Sequence, residues 1–225
     1  MKITHTLPAD IERTSMRIIE EELEQSGIRL EAENAAVIRR VIHATADFEY
    51  AHNLRFTAHA VALGVAALHK AAPIVTDTNM ALAGISKPAL AALGTEGHCY
   101  MADPAVAQAA RQAGTTRAVA AMRHAAAVCP DALFAVGNAP TALLTLCDLI
   151  EQQGLRPALI VAVPVGFVNV VESKERLFAA CTAYGVPCIA AMGRKGGSTV
   201  AAAICNALLY TATDRLDPAR RGWQG

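Results

Sequence analysis

Short apolar runs with almost no polar interruption restrict the fold of this chain more than any other feature. Leu133 to Val136, Ala158 to Val163 and Pro187 to Ala191 are apolar throughout, and Ile74-Val75 and His98 to Met101 add shorter candidates. A strand with one face in water alternates apolar and polar residues. These runs do not, so both faces must be covered, as in a parallel sheet with helices above and below.

The segments between the runs supply those helices. Asp103 to Ala113, Thr116 to Val128, Ala139 to Gln153, Glu172 to Ala183 and Ser198 to Tyr210 are each long enough to carry the chain back across the sheet. Upstream, Pro8 to Gln25 has Ile11, Ser15, Ile18, Ile19, Glu22 and Leu23 at helical spacing, which sets Ser15 on the apolar face, and it stops at Ser26-Gly27. Further helices are expected from about Glu31 to Tyr50 and from Thr57 to Lys70. The expected fold class is α/β: a three-layer α/β/α sandwich with a mainly parallel central sheet, built as one domain over residues 1–225, with 214–225 fraying.

Composition narrows the function. Apolar residues make up 53% of the chain but aromatic ones only 4%, so the core must come from Ala, Val, Leu and Ile in tightly spaced layers. Twenty Lys and Arg balance twenty Asp and Glu, which leaves no global field for nucleic acid. The first residues lack the apolar core of a secretory signal. The longest apolar stretch, Pro157 to Val171, is broken by Pro164 and falls short of the ~18 residues that span a bilayer. No membrane partner and a cytoplasmic location are therefore expected. Cys99, Cys129, Cys147, Cys181, Cys188 and Cys205 show no CxxC and no zinc-finger spacing, so they read as small core residues, with Cys99 beside His98 as the minority candidate for a reactive thiol. No metal site is expected.

In open parallel sheets ligands bind beyond the carboxyl ends of the strands. The glycine-rich loops all lie there: Gly137-Asn138-Ala139-Pro140-Thr141, Pro164-Val165-Gly166-Phe167, and Gly193-Arg194-Lys195-Gly196-Gly197-Ser198. The last combines Arg194 and Lys195 with glycines just before a helix start. It reads equally well as an amide cradle for a carboxylate or phosphate and as a tight turn with solvated cations. It matches neither GxGxxG nor GxxxxGK[ST], which counts against a nucleotide. At Gly114-Thr115-Thr116-Arg117 a threonine can cap the next helix and leave Arg117 near the same crevice.

Arg40, His43 and Asp47 stand at i, i+3 and i+7, so one helix face is expected to gather a cation, an imidazole and a carboxylate. Asp47 would then orient the ring and favour its protonated form, while Arg40 opposes it and attracts an anion. His5, His52, His59, His69 and His124 lack such neighbours and read as structural or solvated.

Taken together, IHATADFEY (Ile42 to Tyr50), GNAPTAL (Gly137 to Leu143), PVGFV with ESKE (Pro164 to Val168, Glu172 to Glu175) and GRKGGS resemble the precorrin-8X methylmutase family, which includes the cobalt-precorrin-8 enzymes of cobalamin biosynthesis. The likeness keeps its order from about Ile11 to Leu209.

That resemblance implies an isomerase that moves a methyl group between adjacent carbons of ring C on a corrinoid, without a cofactor of its own; any cobalt belongs to the substrate. It implies that His43 protonates or hydrogen-bonds a ring nitrogen. Substrate contacts carry over to Ser15, Arg40 and Arg117, and Gly137, Asn138, Thr141, Gly166, Arg194, Lys195, Gly196, Gly197 and Ser198 wall the macrocycle. A homodimer is implied as well. Lys195 stands where some relatives carry an apolar residue, and Ala44 where a small polar one is common; with ADFEY these lean toward the cobalt-containing branch. The competing readings are a non-catalytic corrinoid carrier and an enzyme acting on a phosphorylated metabolite, with GRKGGS as the phosphate cradle.

Overall fold

The computed structural model describes residues 7–221. Its six-stranded sheet comprises β1 (Leu54–Phe56), β2 (Ile74–Thr76), β3 (Gly97–His98), β4 (Leu133–Val136), β5 (Leu159–Ala162) and β6 (Cys188–Ala191), in the spatial order β1-β6-β5-β4-β2-β3. Only the edge pair of β1 with β6, registered Leu54 to Ala191, is antiparallel. The expected α/β layout is present, with one strand more than the apolar runs announced. β1 has a charged residue, Arg55, in its middle and needs only one covered face, so it carries no continuous apolar signal.

The helices are α1 (Pro8–Gln25), α2 (Ala35–Thr45), α3 (Tyr50–Asn53), α4 (Ala60–His69), α5 (Asn79–Gly84), α6 (Lys87–Ala92), α7 (Pro104–Gln112), α8 (Arg117–Val128), α9 (Pro140–Gln153), α10 (Val170–Tyr184) and α11 (Ser198–Ala212). Successive strand residues serve opposite faces. Leu133 and Ala135 pack with α1, α2, α4, α5, α6 and α11, whereas Phe134 and Val136 pack with α7, α8, α9 and α10. Both layers are rich in alanine, which lets α11 lie close to the sheet. Four of the cysteines, Cys147, Cys181, Cys188 and Cys205, are buried in these layers as expected, while Cys99 and Cys129 are half-buried.

The chain departs from expectation in places that bear on the site. The helix expected from Glu31 to Tyr50 is shorter at both ends. It stops at Thr45 because Ala46 turns left-handed (φ 53°) and closes its N–H on Ile42 O at 2.7 Å. Of the run His98 to Met101, expected as a strand, only His98 is in one: β3 is Gly97–His98, and Tyr100–Ala102 forms a 3-10 turn. The stretch after Asp214, expected to fray, folds back instead: Pro218–Arg221 is a 3-10 turn with Pro218 buried. Residues 222–225 of that stretch, and His5, lie outside the described residues. Among the described residues no helix is long and apolar enough to cross a membrane.

Candidate active site

At the carboxyl edge of the sheet the loops lock into one another. Gly196 (φ 158°) lies so close to the end of β5 that a Cβ there would come within 2.1 Å of Val163 O. At Gly137 a Cβ would come within 2.9 Å of Gly197 O and Ser198 N. Only glycine permits both approaches. Ser198 Oγ bonds Thr78 Oγ at 2.8 Å, and Gly166 N donates to Arg194 O at 3.2 Å. The loops after β2, β4, β5 and β6 therefore form one wall.

Two buried charges that sequence reasoning did not single out hold this wall. Asp77, fully buried after β2, accepts the N–H groups of Gly137, Asn138 and Ala139 at 2.8, 2.8 and 2.7 Å. The anion-binding amides at the start of α9 are thus filled from within. Lys174, fully buried on α10, donates to Gly193 O at 2.9 Å and Lys195 O at 2.8 Å. Burial pushes its ammonium down to about 8. The available signal was chemical: an acid after an apolar strand, and a lysine one helical turn past the buried Val170, at positions where apolar residues would otherwise be expected.

The GRKGGS loop is less open than a cradle for an outside anion would need. Lys195 Nζ bonds Asp47 Oδ2 at 2.5 Å and Glu49 Oε2 at 2.9 Å, and Gly197 N donates to Val163 O at 2.8 Å. Arg194 stays exposed, its guanidinium 5.4 Å from the centre of the Phe167 ring, itself 82% exposed. Thr116 caps α8 by accepting Val119 N and lies 3.4 Å from Thr141 Oγ, which brings α8 to the same edge. Arg117 there is exposed and makes no ion pair among the described residues.

His43 is half-buried on the last turn of α2. The chain after it is tied to the β6 loop by the Asp47–Lys195 pair and by Met192 N donating to Asn53 O at 2.8 Å. The segment that follows His43 therefore joins the same edge as the glycine loops. The expected orientation of the imidazole by Asp47 is not what the fold provides. With the helix ended at Thr45, Asp47 no longer continues the His43 face, and its carboxylate, lowered by the Lys195 hydrogen bond, also accepts Glu49 N. The proton affinity of His43 likewise departs from its reference value: burial first, then the charge of Arg40, lower it, with Arg221 adding to the effect and Glu12 opposing it.

Arg40 is not a free carboxylate clamp either. It is 9% exposed, and its Nη2 donates to Glu12 Oε1 at 2.6 Å. Ser15 keeps to the buried side of α1 as expected, although Glu12 shifts where that face lies. The buried face of α1 is Glu12, Ile19 and Leu23, whereas Ile11 and Ile18 are 46% and 43% exposed. A buried acid rotates the face away from the apolar count, and Ser15, half-buried, follows Glu12 by one helical turn. Of the other histidines, His52, His59 and His69 are exposed and His124 is half-buried against Tyr100.

The precorrin-8X methylmutase family model matches residues 10–211. The cobalt-precorrin-8 methylmutase of Leptospira interrogans is 40% identical over 219 residues, covering 96% of this chain and 99% of its own. That of Salmonella typhimurium is 49% identical over 176 residues, covering 78% and 80%. The precorrin-8X methylmutase of Pseudomonas aeruginosa is 38% identical over 205 residues, covering 91% and 95%. Among solved structures, the precorrin-8X methyl mutase of Thermus thermophilus superposes with a TM-score of 0.80 at 40% identity, over 91% of this chain and 98% of that one. With a matching family model over most of its length, full-length relatives and a shared fold, the chain belongs to the precorrin-8X methylmutase family.

Proposed function

We propose that His43 is the general acid of the methyl shift by which this family makes hydrogenobyrinate or cobyrinate. The reaction is an isomerisation, so atoms and electrons balance within the substrate. The protein's task is to hold the ring and to lend a proton to a ring nitrogen, which draws electron density toward that nitrogen as the methyl migrates. Assistance of this kind is typically worth about 10²- to 10⁴-fold.

The observation that carries this reading is the placement of His43. It is half-buried on the final turn of a helix whose following segment is bonded to the glycine-rich wall. The substrate is a corrinoid with several peripheral carboxylates. In this reading Arg117 and Arg194, exposed at the edge, meet those carboxylates. Ser15 and the loops holding Gly137, Asn138, Thr141, Gly166, Gly196, Gly197 and Ser198 bound the macrocycle, while Lys195 braces the wall from its pair with Asp47. A second copy of the chain completes a cleft wide enough for the ring, the protein works in the cytoplasm, and the chemistry calls for no cofactor held by the protein.

The test is His43→Ala, assayed with precorrin-8X and with cobalt-precorrin-8. Turnover should disappear while the variant keeps its circular dichroism and still binds the coloured corrinoid. Turnover at the wild-type rate would remove His43 from the mechanism. Wild-type protein that binds the pigment but forms no isomer would favour the carrier reading.

A further inference from the structure

Behind His43 lies a charge cluster that packing alone does not require. Glu12 on α1 is 5% exposed; its Oε1 accepts from Arg40 Nη2 at 2.6 Å, and its two oxygens accept from Arg221 Nη1 at 2.8 and 2.7 Å. The remaining donors of Arg221 close the C-terminal turn on itself: Nε reaches Arg215 O and Nη2 reaches Leu216 O, each at 2.8 Å. The ring of Tyr210, on α11, lies under both guanidinium groups, 4.0 Å from that of Arg221 and 5.3 Å from that of Arg40. Two cations thus share one carboxylate and one aromatic face, with side chains 5% to 11% exposed.

Burying three charges is costly, and apolar residues of similar volume often serve stability as well or better. The neighbouring positions on α1, α2 and α11 are apolar. The cluster is also left over-provided with positive charge: one carboxylate faces two guanidiniums, and the buried Nε of Arg40 has no acceptor among the described residues. One helical turn along α2 from Arg40 stands His43.

We propose that Glu12 and Arg221 are positioning residues for the methyl shift: with Tyr210 they lock Arg40 in place and so fix the charge that His43 meets from its buried side. This rests on the reading of His43 as the acid. The charged groups that act on the imidazole are Arg40 on its own helix, Glu12 on α1 and Arg221 on the C-terminal turn. Tyr210 is the titratable group offered by α11, and Tyr50 and His52 those offered by α3. Beyond the helix end, Asp47 and Glu49 both pair with Lys195, which offsets one of their two charges. The surplus cation disfavours the imidazolium while the site is empty, and a polycarboxylate substrate cancels it. The C-terminal turn thereby makes protonation of His43 follow substrate binding.

The test is the NMR titration of histidine-labelled full-length protein, with the His43 signal assigned by its loss in His43→Ala, alongside the pH profile of turnover. Arg221→Met, which removes a cation near the chain's end, should raise the protonated fraction of His43 above its midpoint about threefold. Glu12→Gln should lower it by a similar factor, and Arg221→Lys should restore the wild-type curve. Should Glu12→Gln fail to fold, the Met and Lys variants at Arg221 still decide. A His43 titration identical in folded Arg221→Met and wild type overturns the proposal, as does a shifted titration with an unmoved turnover profile. Wild-type turnover in His43→Ala overturns the acid reading instead, whatever the titrations show.

Discussion

The ammonium of Lys174, fully buried on α10, donates a 2.8 Å hydrogen bond to the backbone carbonyl of Lys195, in the middle of the glycine-rich loop after β6. With its second bond, to Gly193 O at 2.9 Å, it holds both ends of the turn that presents Arg194. A folded pKa of about 8 against an ordinary 10.5 means that the fold binds this proton less tightly than the unfolded chain does. The unfolded state therefore carries more protons between those values, and stability rises with pH across that window.

Replacing Lys174 by Met removes two hydrogen bonds of about 1 kcal/mol each but also removes a buried cation. Global stability at pH 7 should change little, while the turn loosens. Trypsin should then cut after Arg194 or Lys195 at least about tenfold faster than in the wild type. Wild-type stability relative to Lys174→Met should also grow by about 3 kcal/mol between pH 8 and 10.5, measured by denaturant unfolding under reductant. Unchanged cleavage would show that the loop holds itself.

Asp77 makes the opposite bargain, an anion closed on three amides. Asp77→Ala leaves those donors without their acceptor and should cost about 3 kcal/mol or more, which at ~2–4 °C per kcal/mol for a chain of this size lowers Tm by roughly 6–12 °C. Asp77→Asn keeps acceptor character on one side only. Its Oδ1 can serve either Gly137 or the Asn138 and Ala139 pair, so it should recover part of the loss. Full recovery in thermal melts would mean that shape, not charge, holds the α9 entry.

How much of this was legible in the chain follows from what each signal encodes. The runs LFAV, ALIVAV and PCIAA announce a doubly covered sheet because every residue in them must avoid water, and β4, β5 and β6 lie there. The glycine loops were legible for the same local reason: Gly137 and Gly196 stand where a Cβ cannot. Residues whose role depends on a distant partner were not. Periodicity counts Glu12 as solvent-facing, since nothing within α1 says that Arg40 and Arg221 will come to it. Spacing puts Asp47 on the His43 face because no glycine or proline marks the helix end that Ala46 supplies. Arg40 looks free in the sequence, and Lys174 looks ordinary, for the same want of a visible partner.

The lowered proton affinity of His43 fixes the form of its pH dependence. A general acid works in its protonated form, so activity falls as pH rises through its pKa. In the free enzyme, burial and the Arg40 charge set that midpoint below the ordinary 6.5. A bound polycarboxylate raises it. The descending limb of kcat/KM should therefore lie below pH 6.5, and that of kcat at higher pH. Coincident limbs in the two profiles would show that substrate charge does not reach the imidazole.

The arginines should separate by burial rather than by residue type. Arg117 is exposed and unpaired among the described residues, so Arg117→Ala should leave Tm within a few degrees of wild type, surface changes being worth about ±0.5 kcal/mol. Its loss should appear in binding: a weakening of about five- to tenfold at low ionic strength that shrinks at high salt, as screening removes a charge-to-charge attraction. Arg40, 9% exposed and bonded to Glu12, should behave in reverse. Arg40→Ala strips a partner from a buried carboxylate and should cost about 2 kcal/mol or more of stability at any salt concentration. Corrinoid titrations at two ionic strengths beside thermal melts of both variants decide this. An Arg40→Ala protein that melts like wild type but binds with the salt dependence expected of Arg117→Ala would return Arg40 to the surface of the cleft.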